Sequence, residues 1–103
     1  MGYNAHITKE VYKSNYTSNI YDMFQLVLYQ LKVRRLAKSY YEHWADFVKD
    51  KRENLYIFIQ ELKDPFYDRF TPDNNWGDRL GALQWLQNIY DNWKDGYNLD
   101  IEW

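Results

Sequence analysis

The two ends of the chain alternate between apolar and polar residues, and the middle does not. Tyr3, Ala5 and Ile7 fall on one side of an extended chain, with Asn4, His6 and Thr8 on the other. Tyr97, Leu99, Ile101 and Trp103 form a second apolar row, opposed by Asn98, Asp100 and Glu102. A period of two is the mark of a half-buried strand. Both ends share the pattern Gly-Tyr-Asn-x-x-Ile, at 2–7 and 96–101, and the two strands are expected to pair with each other.

Between them the period becomes that of a helix. Ile20, Phe24, Val27, Leu28 and Leu31 recur at helical spacing, and Met23, Leu26, Val33 and Leu36 widen the stripe until little polar face is left. Such a segment belongs in the middle of a domain. The spacing predicts a core helix over about residues 19–38, with an N-cap among Thr17, Ser18 and Asn19 and with Asp22 in its first turn. Lys32, Arg34, Arg35 and Lys38 stand favourably against the dipole at its other end.

A second helix is expected from about Tyr40 to Lys51, lined by Tyr40, Trp44, Phe47 and Val48. The run Leu55-Tyr56-Ile57-Phe58-Ile59 fits either a helix or a buried strand. Helix is preferred because Gln60-Glu61-Leu62-Lys63 continues the spacing. Asp64-Pro65 ends that element, since the residue before proline avoids helical geometry. Residues 64–75 then read as a loop carrying Phe66, Tyr67 and Phe70. A last helix, starting near Asn75 or Trp76, places Leu80, Leu83, Leu86, Ile89 and Trp93 in one series and closes at Asp95-Gly96. The expected fold class is α+β: a mostly helical single domain over residues 1–103, with a small sheet formed by the N- and C-terminal strands.

Composition adds a question that the elements do not answer. Five Trp, eleven Tyr and five Phe are more ring surface than one small core readily absorbs. Tyr and Trp are the residues that protein interfaces concentrate. Net charge is only −2, but its distribution is uneven. Residues 1–52 hold nine Lys or Arg against five Asp or Glu, whereas residues 53–103 hold four against ten. A molecule with a basic and an acidic side would result.

Catalytic equipment is sparse. With no cysteine, disulfides, thiolate chemistry and Cys-based zinc sites are all excluded. His6 and His43 are the only imidazoles. Glu42, His43 and Asp46 could share one helical turn and orient a general base, although such a trio is also what an ordinary exposed helix face carries. Asp73 to Asp78 has the acids and glycine of a calcium loop at the wrong offsets, and Gln84 stands where a ligating Glu is needed. No enzyme activity, cofactor or metal is expected. No run is long enough to span a membrane, and Met1-Gly2-Tyr3-Asn4 does not open a secretory signal, so a cytoplasmic protein is expected.

A binding role accounts for more of the chain. The segment from Asp64 to Trp103 carries eight acids among nine rings, which suits a partner with a basic surface, such as a nuclease or a toxin. The expected contacts are Tyr67, Asp68, Trp85, Tyr90, Asp91, Asp95 and Trp103, with Trp76, Trp93 and Tyr97 in the core. The alternative is a single-stranded nucleic acid, held by Arg34, Arg35, Lys38 and Tyr41. Lys49, Lys51 and Arg52 form a second basic cluster beyond Tyr40, Tyr41 and Trp44. A homodimer would also bury surplus rings.

The opening Gly2-Tyr3-Asn4-Ala5-His6-Ile7-Thr8 resembles the start of small bacterial and phage proteins that begin Gly-Tyr-Asn/Asp-x-His-Ile-Thr. Some of these are immunity-type partners of toxins. The resemblance implies an inhibitor or immunity role, of the toxin-immunity or phage anti-defence kind, and assigns no functional residue.

Overall fold

The computed structural model describes residues 2–7, 12–17, 20–70, 78–94 and 96–102. Strands β1 (Gly2–Ile7) and β2 (Tyr12–Thr17) precede four helices: α1 (Tyr21–Val33), α2 (Trp44–Asp50), α3 (Arg52–Leu62) and α4 (Arg79–Asn92). Strand β3 (Leu99–Glu102) follows. The molecule is mostly helical, with a radius of gyration of 12.9 Å, that of one small domain.

Strand β1 lies between β2 and β3 and is antiparallel to both. Ala5 stands opposite Ile101, and Ile7 opposite Leu99. All four of these side chains are buried, so the alternating rows of the two ends turn one apolar side inward. Strand β2 is an addition that the hydrophobic pattern does not announce. Its sequence, Tyr-Lys-Ser-Asn-Tyr-Thr, has too little apolar alternation, and it joins the sheet as an outer strand supported by its six-residue register with β1.

Helix α1 is shorter than the spacing predicts. It stops at Val33 because the chain turns back on itself there: Arg35 takes a left-handed conformation, with φ 62°. The Leu36 amide donates to the Leu31 carbonyl at 2.8 Å, and the Arg35 amide donates to the Lys32 carbonyl at 3.0 Å. These two bonds close the helix in a Schellman turn. Its start has no side-chain cap; Ile20 occupies that position, while Ser18 and Asn19 lie outside the described residues.

The second helix is also shorter than expected. His43 caps α2, its Nδ1 accepting from the Ala45 amide at 3.1 Å, so Tyr40 to Glu42 precede the helix. Leu55 to Ile59 are helical, within α3. Lys51, in an extended conformation, is the one residue between α2 and α3. Residues 65–70, expected as loop, form a 3-10 turn, opened by the Asp64 carboxylate accepting from the Phe66 amide at 2.9 Å. The last helix starts at Arg79 with Asp78 as cap, whose carboxylate accepts from the Gly81 amide at 2.7 Å; Asn75 and Trp76 lie outside the described residues.

The core absorbs more of the rings than composition suggests. Phe24, Trp44 and Phe58 pack edge to face and tilted, with Trp44 central: 4.7 Å from Phe24, 6.0 Å from Phe58 and 6.4 Å from Trp85. Trp93 is buried as expected, whereas Tyr97 is half-buried and Trp76 is outside the described residues. The buried side of α4 is Ala82, Trp85, Leu86 and Ile89, leaving Leu80 exposed, where the spacing had set it in the core series.

Candidate interaction surface

Two of the rings expected as contacts are buried. Trp85 retains 4% of its surface and Tyr67 only 1%, so neither can serve as a surface contact. Trp85 goes inward because it lies three residues from Ala82 and four from Ile89, on the side of α4 that faces the core. Tyr67 is drawn in by the 3-10 turn, and its hydroxyl donates to Glu61. Burial first, and that hydrogen bond second, raise its pKa above that of an ordinary phenol. Asp68 is exposed and pairs with Arg79 at 2.8 Å. Asp91 is exposed and accepts from Gln87 at 2.9 Å. Asp95 and Trp103 lie outside the described residues.

Tyr90 is half-buried under a cation. The Arg52 guanidinium lies 3.6 Å from the Tyr90 ring centroid and donates twice to its carbonyl, at 2.9 and 3.2 Å. Tyr56 is exposed beside it, 5.8 Å between ring centroids, and with Glu53 these residues line a shallow depression of about 340 Å³. Glu53 gives this aromatic depression an acidic edge.

Four more large apolar side chains are exposed on and just after the last turns of α1. Tyr29, Val33, Leu36 and Tyr40 are 60%, 59%, 52% and 69% exposed. At 100° per residue, Tyr29 and Val33 lie on the side of α1 opposite Met23, Phe24, Val27, Leu28 and Leu31, all of which are buried. The apolar stripe that sequence alone places wholly in the core therefore emerges on the surface at Val33 and Leu36. Tyr40 is brought alongside by its neighbour. The Lys32 ammonium, one turn from Tyr29, donates to the Tyr41 carbonyl at 2.5 Å, and the Tyr40 and Tyr41 rings stand 4.5 Å apart.

Tyr41 itself is a support. It is buried, packs edge to face on Phe47 at 5.2 Å, and donates its hydroxyl to Asp50. The hydrogen bond to Asp50 is the main reason its pKa is raised above that of an ordinary phenol. This corrects the expectation that Tyr41 stacks on a nucleic-acid base. Arg34 is occupied by Glu61, 2.7 Å away, in a groove of about 320 Å³ that it shares with Gln30, Asp64, Phe66 and Tyr67. Arg35 and Lys38 are exposed and make no ion pair among the described residues. Thus the exposed rings and aliphatic groups at this end of the molecule stand among cations rather than carboxylates.

No family model matches the chain, and neither does any curated protein or solved structure. His43 is engaged as the cap of α2, with its ring 5.5 Å from Tyr21, and burial lowers its basicity below that of an ordinary imidazole. Glu42 precedes the helix, so it does not share a helical turn with His43 and Asp46. The side chain of His6 is outside the described residues. Among the described residues, no helix is long and apolar enough to cross a membrane, and no group of three or more His, Asp or Glu could hold a metal.

Proposed function

We propose that this chain is a non-enzymatic protein that binds another protein in the cytoplasm and blocks it by covering its functional surface. The observation that carries this reading is the exposure of four large apolar side chains, Tyr29, Val33, Leu36 and Tyr40, on and just after the last turns of α1, with the exposed cations Arg35 and Lys38 between them in sequence. Aromatic residues and Arg are enriched in protein interfaces, and large apolar groups grouped on a surface mark contact sites more than scattered ones do. The sheet of the terminal strands serves as scaffold in this reading. The resemblance at Gly2 to Thr8 adds the leaning toward toxin immunity or anti-defence inhibition.

The test is affinity purification of the tagged chain with mass spectrometry, repeated with Leu36→Asp and Tyr40→Ser. Loss of one specific partner in both variants, with unfolding curves unchanged, is the expected result. A partner retained by both variants refutes this surface as the contact.

A second reading is a single-stranded nucleic acid, favoured by the exposed cations Arg35 and Lys38, which make no ion pair among the described residues, and by the exposed Tyr40 ring. It leaves Val33 and Leu36 without a role, because aliphatic side chains provide no stacking platform.

A further inference from the structure

We propose that Arg35, assisted by Lys38, anchors carboxylates of an acidic, aliphatic segment of the partner over the Tyr29–Tyr40 surface. This rests on the reading that the surface is a protein contact, and it adds the chemistry of what lies there. Arg35 occupies the one left-handed position among non-glycine residues described, φ 62°, at the turn that ends α1. Glycine, or failing that asparagine, fills such a position with least strain, because a Cβ there crowds the following carbonyl. The helix dipole does not require a cation at this residue. Lys32 already stands in the last turn and Arg34 at the C-cap. A long cationic side chain held at a strained backbone position, exposed, and without an ion pair among the described residues is accounted for by what it contacts outside the chain.

Charge complementarity then selects the occupant. Glu61 is taken by Arg34 and Tyr67, and Asp50 accepts from Tyr41, while the carboxylate of Glu42 is exposed two residues after Tyr40. Arg35 and Lys38 therefore face outward with positive charge uncancelled by Glu61 or Asp50. The guanidinium fork matches a carboxylate bidentately, and Val33 and Leu36 between the rings call for aliphatic groups spaced among those acids.

The experiment is nuclear magnetic resonance titration of the intact chain with three probes: a short synthetic peptide alternating glutamate and leucine, an oligothymidylate, and the chain itself at rising concentration. The peptide is expected to shift the signals of Tyr29, Val33, Leu36 and Tyr40. Arg35→Gly should weaken the peptide about tenfold, the loss of one charge-assisted bond, without lowering Tm. Arg35→Lys should fall between the two, since the ammonium keeps the charge and loses the fork. Peptide affinity unchanged in Arg35→Gly overturns the proposal. So does oligothymidylate shifting the same signals at lower concentration than the peptide, or self-association that covers them. The two readings fail separately. If Leu36→Asp releases the captured partner and Arg35→Gly does not, the anchor is wrong and the contact surface stands. If neither releases it, both are wrong.

Discussion

Replacing Arg35 by glycine isolates the cost of the turn that ends α1. The left-handed conformation at φ 62° costs an L-residue with a Cβ about 1–2 kcal/mol. Glycine escapes that penalty but gives up about 0.4–1 kcal/mol through the larger freedom of its unfolded chain. Alanine keeps the Cβ and, like glycine, removes the cation near the helix C-terminus, so comparing the two variants cancels the electrostatic loss. Arg35→Gly is therefore expected to be more stable than Arg35→Ala by about 0.8 kcal/mol, the difference of the central values. At about 4–8 °C per kcal/mol for a domain of this size, that is a Tm difference of about 3–6 °C. Thermal unfolding followed by far-ultraviolet circular dichroism, with urea titration as a check, measures it. Equal stability, or a less stable glycine variant, would mean that Arg35 is not strained in solution and that the turn does not have the geometry described.

Three further outcomes follow from the core, the caps and one imidazole. Trp44→Ala should cost about 3–5 kcal/mol by urea unfolding, because Trp44 is fully buried among Phe24, Phe58 and Trp85. Asp78→Ala should cost about 1 kcal/mol by removing the acceptor of the Gly81 amide, while Asp78→Asn should be nearly neutral. The neutral form of His43 is favoured in the folded chain, so its contribution is fully present above the ordinary imidazole value and is lost as pH falls through that value toward the lower folded one. His43→Asn keeps a competent cap and removes the titration. Unfolding free energy of the parent chain should drop more between pH 7.5 and 5.5 (about one unit either side of 6.5) than that of His43→Asn, and parallel profiles would refute the assignment.

What the sequence makes legible is periodicity; what it hides is direction. Helix α3 is readable because Leu55, Phe58, Ile59 and Leu62 share one face and no turn residue interrupts them. The rows at β1 and β3 are readable because alternation survives in four to six residues. Strand β2 is not, since an outer strand may be polar on both sides and draws its place from β1. The candidate surface was hidden for a related reason. Apolar residues occur nearly all round α1 and on two competing faces of α4, and spacing does not say which face meets the rest of the molecule. Trp85 and Tyr67 went inward, and Val33 and Leu36 came out. The signal that could have found the end of α1 is the run of cations from Arg34, but nothing in residue type marks Arg35 as left-handed.

Between α2 and α3 there is no slack. Lys51 alone makes the corner; the Asn54 amide on the Phe47 carbonyl at 3.0 Å clasps it, and Arg52, at the start of α3, is tied to the Tyr90 carbonyl of α4; these are the two clasps at this point. One added residue would either widen the corner and open these clasps, or be taken into α3 and swing its greasy side by about 100° away from Trp44 and Phe24. Insertions that surface connections commonly tolerate are thus forbidden at this point, and any chain that shares this architecture must conserve its length there even where its letters change.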